Sequence, residues 1–592
     1  MTAVLRIGNA SGFYGDRFSA MREMLTGGEL DVLTGDYLAE LTLLILGRSR
    51  LKNPATGYAT TFLRQLEDTL GLAAERGVTL VTNAGGLNPA GLAEAVRALA
   101  DRLGVSVRVA HVEGDDLLAR ATDLGLSTPD GPPLTANAYL GAWGIAQAVR
   151  AGADVVVTGR VTDASLVVGP AAAHFGWSRT DWDALAGATV AGHLLECGAH
   201  VTGGNYAFFA EVPDLRQPGF PIAEVRADGS ATITKHPGTG GTVTVDTVTA
   251  QLLYEIDAPA YRGPDVTAHF DAVTLTQDGP DRVTVSGARG EAPPPELKVC
   301  LTSLGGFRNA VTFVLTGLDV ARKAELVRAQ LDHALGDRGP GELTWTLART
   351  DHADADTEET ASAFLHVVAK DRDPARAGRV FSGAAIELAL ASYPGFHVTA
   401  PPADATPFGV YRPGWVPQDA VEHVVVAADG TRTAIAPPPP PPPPHDDHHR
   451  FFVAPARVSG GDHGSGSAAG ATGGDHGSGG GATRRVPLGT LCGARSGDKG
   501  GTANIGVWTR SDAAARWLTA FLTPERVREL LPEATGLPVA VYPLPNLRAV
   551  NIVIDGLLGD GVASSTRFDP QGKALGEWLR SRLVDVPEEL LT

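Results

Sequence analysis

The sequence predicts an α/β protein. An N-terminal parallel, Rossmann-like sheet with helices on both faces continues into an α+β second domain, and a small α+β domain follows a disordered linker. Three observations carry this reading. Short apolar runs alternate with helical patterns through the first third of the chain, the signature of a parallel sheet covered on both faces. From about residue 206 the texture changes to strand-like runs with turn signals such as Asp228-Gly229 between them. Eight consecutive prolines at 437–444 and a Gly/Ser/Ala tract then break the pattern, as a stiff spacer and a disordered segment would. The expected divisions are 1–205, 206–436, 437–485 and 486–592.

In the first division the strands are "VLRIGN", "LDVLTGD", "GVTLVTNAGG", "VSVRVAHVEGDD" and "DVVVTGRVTD". The helices between them include "YLAELTLLILGR", "NPAGLAEAVRALADRLG" with Asn88 as cap and Gly104 as stop, and "LTANAYLGAWGIAQAVRAGA". "TDWDALAGATVAGHLLECGAH" reads as a helix capped by Thr180 or Asp181 and stopped at Gly198. In the second division "NYAFFAEV", "GGTVTVDTVTAQLLYEI", "KVCLTSLGG" and "AVTFVLTGLD" read as strands, and "VARKAELVRAQLDHAL" and "RVFSGAAIELALASY" as helices. The last division has strands around the loop "SGDKGG", a helical stretch re-capped at Thr523-Pro524-Glu525, two proline-interrupted strands and a closing helix "PQGKALGEWLRSRLVD". That order suggests a compact, ferredoxin-like sandwich.

Composition narrows the function. At 592 residues the chain needs several cores. A content of 43% hydrophobic and 20% charged residues is that of a soluble globular protein. A net charge of −18 argues against nucleic-acid binding. Cys197, Cys300 and Cys492 are too scattered for a disulfide framework or a paired-cysteine zinc motif, and no apolar run approaches the ~18 residues of a membrane span. A reducing cytoplasm is the expected location.

A parallel sheet binds ligands at the carboxyl ends of its strands. Here those ends carry Asn9, Asp36, Asn83 with Gly85 and Gly86, Asp115, and Arg160 with Asp163. Arg160 can hold a carboxylate or phosphate through bidentate contacts, and Asn83 can bond a substrate carbonyl. Next comes "GHLLECGAHVTGGN", where His193, Glu196, Cys197 and His200 fall at i, i+3, i+4 and i+7. If Gly198 ends the helix, the shared face breaks before His200. The pattern is also not HExxH. The negative end of the helix disfavours a thiolate at Cys197 and raises the pKa of Glu196, which suits a general acid or base. Gly203, Gly204 and Asn205 offer an anion nest or oxyanion hole. Lys235 and His236 precede a glycine loop in the second division, and Asp498 and Lys499 occupy the charged loop of the last.

The stretches "GRVTDASLVVGPAAAHFGW", "DWDALAGATVAGHLLECGAHVTGGN", "TKHPGTGGTVTVDTVTAQLLYEI", "IGNASGFYGDR" and "TNAGGLNP" resemble the acyclic terpene utilisation family, AtuA, over residues 1 to about 436. The final domain, with "ARSGDKGGTANIGV", resembles the ferredoxin-fold module that accompanies that family. The resemblance implies a setting in the breakdown of branched or terpenoid acids as coenzyme A thioesters. The expected activity is acid/base lyase or hydratase chemistry, with Glu196, His193, His200 and Asp163 handling protons. The expected ligand is a small-molecule carboxylate or acyl-CoA, with no resident cofactor. Two alternatives stand beside it: a divalent-metal enzyme using His193, Glu196 and His200, and a non-catalytic binding or scaffolding subunit. A homo-oligomer, and association with other acyl-CoA catabolic enzymes, are the expected assemblies.

Overall fold

The computed structural model describes residues 4–129, 131–438 and 482–591. Most of the expected linker, 439–481, lies outside the described residues. The strands that order the first half are β1 (Val4–Asn9), β2 (Val32–Gly35), β3 (Thr79–Thr82), β4 (Val109–Glu113), β5 (Thr135–Ala138), β6 (Val155–Thr158), β7 (Pro221–Arg226) and β8 (Ala231–Lys235). Five of them run parallel in the order β1-β2-β3-β6-β4. Alternate residues feed opposite faces, as a pleated strand requires. Leu33, Leu80 and Val157 pack with helices Ala20–Gly27, Thr60–Arg76 and Pro89–Leu103. Val32, Val81 and Val156 pack with helices Trp143–Arg150, Ser165–Phe175 and Trp182–Glu196. Asn88 caps its helix by accepting from Gly91 N at 2.9 Å, and Gly104 ends it in the left-handed region.

The parallel arrangement holds only at the centre of this sheet. β7 and β8 add antiparallel beside β1, followed by strands Arg282–Ser286 and Thr274–Gly279; Val424–Val426 and Arg432–Ala434 add antiparallel beside β4. The chain beyond residue 206 therefore returns to the first sheet, making it eleven-stranded. It also builds a second sheet around the long strand Glu296–Thr316.

Several local expectations change. "LTANAYLGAWGIAQAVRAGA" is not one helix: residues 135–138 form β5, which pairs with residues 299–302 of the long strand, and the helix starts only at Trp143. The Thr135 and Thr302 hydroxyls bond across that pair at 2.7 Å. "GGTVTVDTVTAQLLYEI" contains a helix, Val245–Leu252, despite its β-branched residues. A reciprocal cap between Thr244 and Thr247 starts it, and burial of Val248 and Leu252 holds it. "NYAFFAEV" forms turns and a short 3-10 segment rather than a strand. "KVCLTSLGG" and "AVTFVLTGLD" are one strand, kinked by a bulge between Leu304 and Gly306. "RVFSGAAIELALASY" keeps only a short α-helix, Phe381–Glu387, after a π-turn. The closing helix shortens to Leu575–Ser581 and is followed by strand Leu583–Pro587, which pairs with Thr483–Pro487.

The C-terminal module is a four-stranded antiparallel sheet in the order Cys492–Lys499, Thr502–Thr509, Ala549–Ile554, Val539–Leu544. It docks on the turn that follows helix Val245–Leu252. Asn504 Nδ2 donates to Leu253 O at 3.1 Å, and Asn504 Oδ1 accepts from Glu255 N at 2.8 Å. Asn551 Nδ2 donates to Ile256 O and Asp257 O at 3.1 and 2.8 Å. Asn504 and Asn551 are buried and bond each other. Glu255 takes a left-handed backbone, φ 56°, a conformation a non-glycine residue keeps only where surrounding structure enforces it. Asn551→Ala leaves two backbone carbonyls without their side-chain donor, each worth about 1–3 kcal/mol if buried and unsatisfied. Faster hydrogen exchange confined to residues 253–257 and their module contacts is the expected outcome.

Candidate functional site

The C-terminal ends of the parallel strands deliver two tiers of polar residues. The lower tier is fully engaged with the protein itself. Asn9 Nδ2 donates to the carbonyls of Leu195 and Glu196, and its Oδ1 accepts from Ser11 N at 3.0 Å. Asn83 accepts from Tyr37 N at 2.7 Å and donates to Asp36 Oδ1 at 2.6 Å. Asp115 accepts from Arg160 N and Asn137 Nδ2, both at 2.8 Å. Gly85 passes so close to Thr158 O on β6 that a Cβ would collide with it, and Gly86, φ 54°, packs against Leu46 and Gly57 O, so both serve backbone packing. These residues shape the floor, with most of their hydrogen-bonding capacity spent on the protein itself.

The upper tier is a largely buried charged cluster where the sheet end meets the module, and it forms the walls of the chamber. Arg160 is buried. It donates to Leu38 O at 3.0 Å and to Asp163 Oδ1 at 2.9 Å, and its guanidinium lies 4.4 Å from the Tyr139 ring centre. Tyr139 Oη donates to Glu40 Oε1 at 2.9 Å. Asp163 keeps 30% of its side chain open. Helix Trp182–Glu196 ends at Cys197, and Gly198, φ 57°, turns the chain away. That end places Glu196, 8% exposed, with Oε1 3.1 Å from His193 Nδ1 and with Oε2 unpartnered.

The His193 tautomer follows from its surroundings. Nε2 lies 3.1 Å from Gln251 O, which can only accept, so Nε2 carries the proton. Nδ1 is left to accept. Burial holds the His193 pKa down to about 4, helped by Lys499. Burial, and then Asp163, push Glu196 well above the usual carboxylate range. The imidazole is therefore neutral at ordinary pH, and Glu196 keeps its proton to a higher pH than an ordinary carboxyl does. Burial likewise raises Asp36 and Glu255, and it raises the Cys197 thiol, which removes the thiolate.

Cations enter from three other places. Lys499, on the module hairpin, donates to Glu255 O at 3.2 Å and sits 4.9 Å from the Tyr261 ring centre. Its pKa is shifted by burial, but Tyr261, Asp257, Glu255 and Glu196 outweigh that and hold it charged. Lys298, on the long strand, lies over the rings of Tyr139 and Tyr411 at 5.2 and 5.7 Å. Lys573 bonds Tyr254 Oη and lies 3.3 Å from Glu255 Oε1.

The remaining expected residues sit elsewhere or at the rim. His200 gives its ring to the module: Arg495 Nη2 is 2.8 Å from Nδ1, and Asn205 Nδ2 is 2.9 Å from Nε2. Burial and Arg495 lower its pKa well below the histidine range. Arg495 Nη1 also donates to Asn205 O at 2.9 Å, so the Gly203-Gly204-Asn205 turn is a docking surface for the module. Lys235 pairs with Asp281 at 3.0 Å and donates to Thr239 O, while His236 packs under Gly27 and Gly28 with Nε2 2.9 Å from Met24 O. Neither joins the chamber. Among the described residues no three His, Cys, Asp or Glu side chains are grouped to hold a metal ion, and no helix is long and apolar enough to cross a membrane.

The sequence reading missed Glu40, Glu255, Lys298 and Tyr411. Glu40 sits inside an apolar helix pattern and Glu255 inside a stretch read as a strand. Lys298 and Tyr411 become neighbours only through pairing of residues 296–308 with 406–417.

This is a two-part architecture: an α/β body whose strand ends form a charged chamber, and a ferredoxin-like module that closes it. The family described as acyclic terpene utilisation family protein AtuA matches residues 5–427, and its ferredoxin-like domain matches residues 486–585. The chain belongs to the AtuA family. No curated protein and no solved structure matches it.

Asp498, beside Lys499, is raised to about 8 by burial and by Glu255 and Glu40. The folded state thus keeps a proton that the unfolded chain releases near its ordinary value of 3.8, and stability falls as pH rises between the two values. Asp498→Asn removes that slope. The variant is expected to match the parent's melting temperature at pH 4 and to exceed it increasingly up to pH 8, measured by differential scanning fluorimetry.

Proposed function

We propose that the protein is an enzyme of acyclic terpene utilisation that acts on a branched or terpenoid carboxylate or its coenzyme A thioester by acid/base lyase or hydratase chemistry. The observation that carries the reading is the Glu196 carboxyl. It is buried, its pKa is pushed well above the usual carboxylate range by burial and by Asp163 and pulled back by Lys499, and it has an unpartnered oxygen. Paired acid groups in distinct environments are how one site supplies both an acid and a base.

In the dehydration direction Asp163, the more open carboxylate, takes the proton α to the substrate carbonyl. The electron pair moves to the carbonyl oxygen, where Lys499 stabilises the negative charge. As the double bond forms, Glu196 gives its proton to the departing hydroxyl, which leaves as water. The proton on Asp163 then returns to Glu196. His193, fixed by Gln251, sets a neutral imidazole beside Glu196, with Nδ1 3.1 Å from Oε1 and free of any hydrogen bond. Arg160 holds Asp163 in place. The carbonyl contact expected of Asn83 passes to Lys499, because Asn83 is consumed by Asp36 and Tyr37.

The substrate is found by a thermal-shift screen of acyl-CoA thioesters and branched dicarboxylic acids, since a ligand of the folded state raises its melting point. With that substrate, Glu196→Gln is expected to keep the fold and its binding constant and to lower turnover by about 10²–10⁴-fold. Full turnover in a correctly folded variant would overturn the assignment.

A further inference from the structure

A sheet edge exposes unpaired backbone N–H and C=O groups, and folded proteins protect it with short strands, prolines, bulges or charged side chains. Most edges of this protein carry such a device. In the eleven-stranded sheet, Thr274–Gly279 is bulged between Gln277 and Gly279, and Arg432–Ala434 has three residues. In the module, Val539–Leu544 contains Pro543, and on Cys492–Lys499 the carbonyl of Cys492 accepts from Arg580 Nε at 3.0 Å.

Strand Glu342–Ala348 is the exception. It is the last strand of the second sheet and pairs, among the described residues, only with Ser362–Asp371. Its seven residues read ELTWTLA, without proline, glycine or lysine, and the one charge, Glu342, stands at the start. At ~3.3 Å per residue the open edge is about 23 Å long. Leu343, Trp345 and Leu347 lean on the core that helix Val320–Leu335 covers, yet stay half-buried, and Arg328 lies 5.6 Å from the Trp345 ring centre. Thr344 and Thr346 alternate with them and are also half-buried. β-Branched and aromatic residues in this pattern favour pairing. The two ends of the strand differ in charge. Residues 349–361, beyond Ala348, hold five acidic side chains against one arginine. Residues 336–342 and 370–379, at the other end, hold five cationic side chains against four acidic ones, and Arg338, Arg372 and Arg376 there are exposed.

We propose that this edge pairs with the same edge of a second copy of the chain, antiparallel about Trp345, so that the second sheets of two copies become one continuous sheet. A two-fold contact must be self-complementary, and a strand paired antiparallel with itself meets that condition. The pairing sets the acidic 349–361 end of each copy beside the more cationic end of the other, whereas a parallel pairing would set acid beside acid. Charge therefore selects the arrangement. A chain of net charge −18 repels its own copies, and contact between them needs a place where unlike ends meet. Thr344 of each copy then stands opposite Thr346 of the other, and the two copies of helix Val320–Leu335 lie on one face of the joined sheet.

Sedimentation velocity on the full-length protein is expected to show two chains, or a multiple of two. Thr344→Lys combined with Thr346→Lys gathers lysines from both copies along the pairing line, where like charges oppose one another. That variant is expected to halve the assembly while its circular dichroism spectrum stays that of the parent. Asp354→Lys combined with Asp356→Lys, on the exposed stretch after the strand, is expected to raise the dissociation constant of the assembly about tenfold. Hydrogen exchange in residues 342–348 of the parent is expected to quicken on dilution, and this measurement decides the matter even if the strand variant does not fold. A monomeric parent overturns the proposal and leaves the edge to a different chain. A folded strand variant that keeps the parent's assembly overturns it too, as does exchange in 342–348 that is independent of protein concentration.

Discussion

The chamber depends on one electrostatic balance: the Lys499 ammonium and the Arg160 guanidinium set against the carboxyls of Glu196, Asp163 and Glu255. Burying an unpaired charge costs several kcal/mol even after relaxation. Carboxyls from the body gather densely at this place, and burial pushes Glu196, Asp36 and Glu255 well above the usual carboxylate range. The module brings Lys499, Arg495 and Lys573 to the same seam. Docking and charge compensation are thus the same event. The raised Glu196 carboxyl, on which the proposed chemistry turns, comes from burial and from Asp163, with Lys499 and Arg160 acting against them.

A parallel sheet supplies the other constraint. Its strands end together, so their first loop residues must either satisfy one another or face a ligand. Asn9, Asn83 and Asp115 take the first course, binding neighbouring backbone and side chains. Their rigidity fixes Asp36 and Arg160 above them. A site built on such a floor gains precision from residues that never meet the substrate.

Much of this was legible in the sequence. The five strand ends, the helix stop at Gly198 and the delivery of Glu196 into a turn follow from periodicity and glycine placement, and the structure has the helix end where that reading puts it. What was not legible depends on pairing across long separations. β5 hides in an apparent helix because its four residues gain a partner only in the long strand. Helix Val245–Leu252 hides in a β-branched run because tertiary burial and a threonine cap outweigh propensity. Glu255 and Lys298 follow from these two misread segments, so their absence from the expected site has the same origin. Lys235 and His236 show the converse. Their spacing before a glycine loop is suggestive, yet β8 carries them to Asp281 and to helix Ala20–Gly27.

The hairpin of the module carries a further consequence. Asp498 and Lys499 are consecutive on strand Cys492–Lys499, opposite Ala503 and Thr502. Neighbouring strand residues project to opposite faces. Asp498 lies at the seam between body and module, and Lys499 reaches Glu255 and Tyr261. The hairpin therefore carries a parity: inserting or deleting a single residue ahead of Asp498 would exchange an acid for a base on both faces at once. A change of two residues would restore the faces. Packing and chemistry hold this strand to the same even steps, since Cys492 and Ala494 on it belong to the module core.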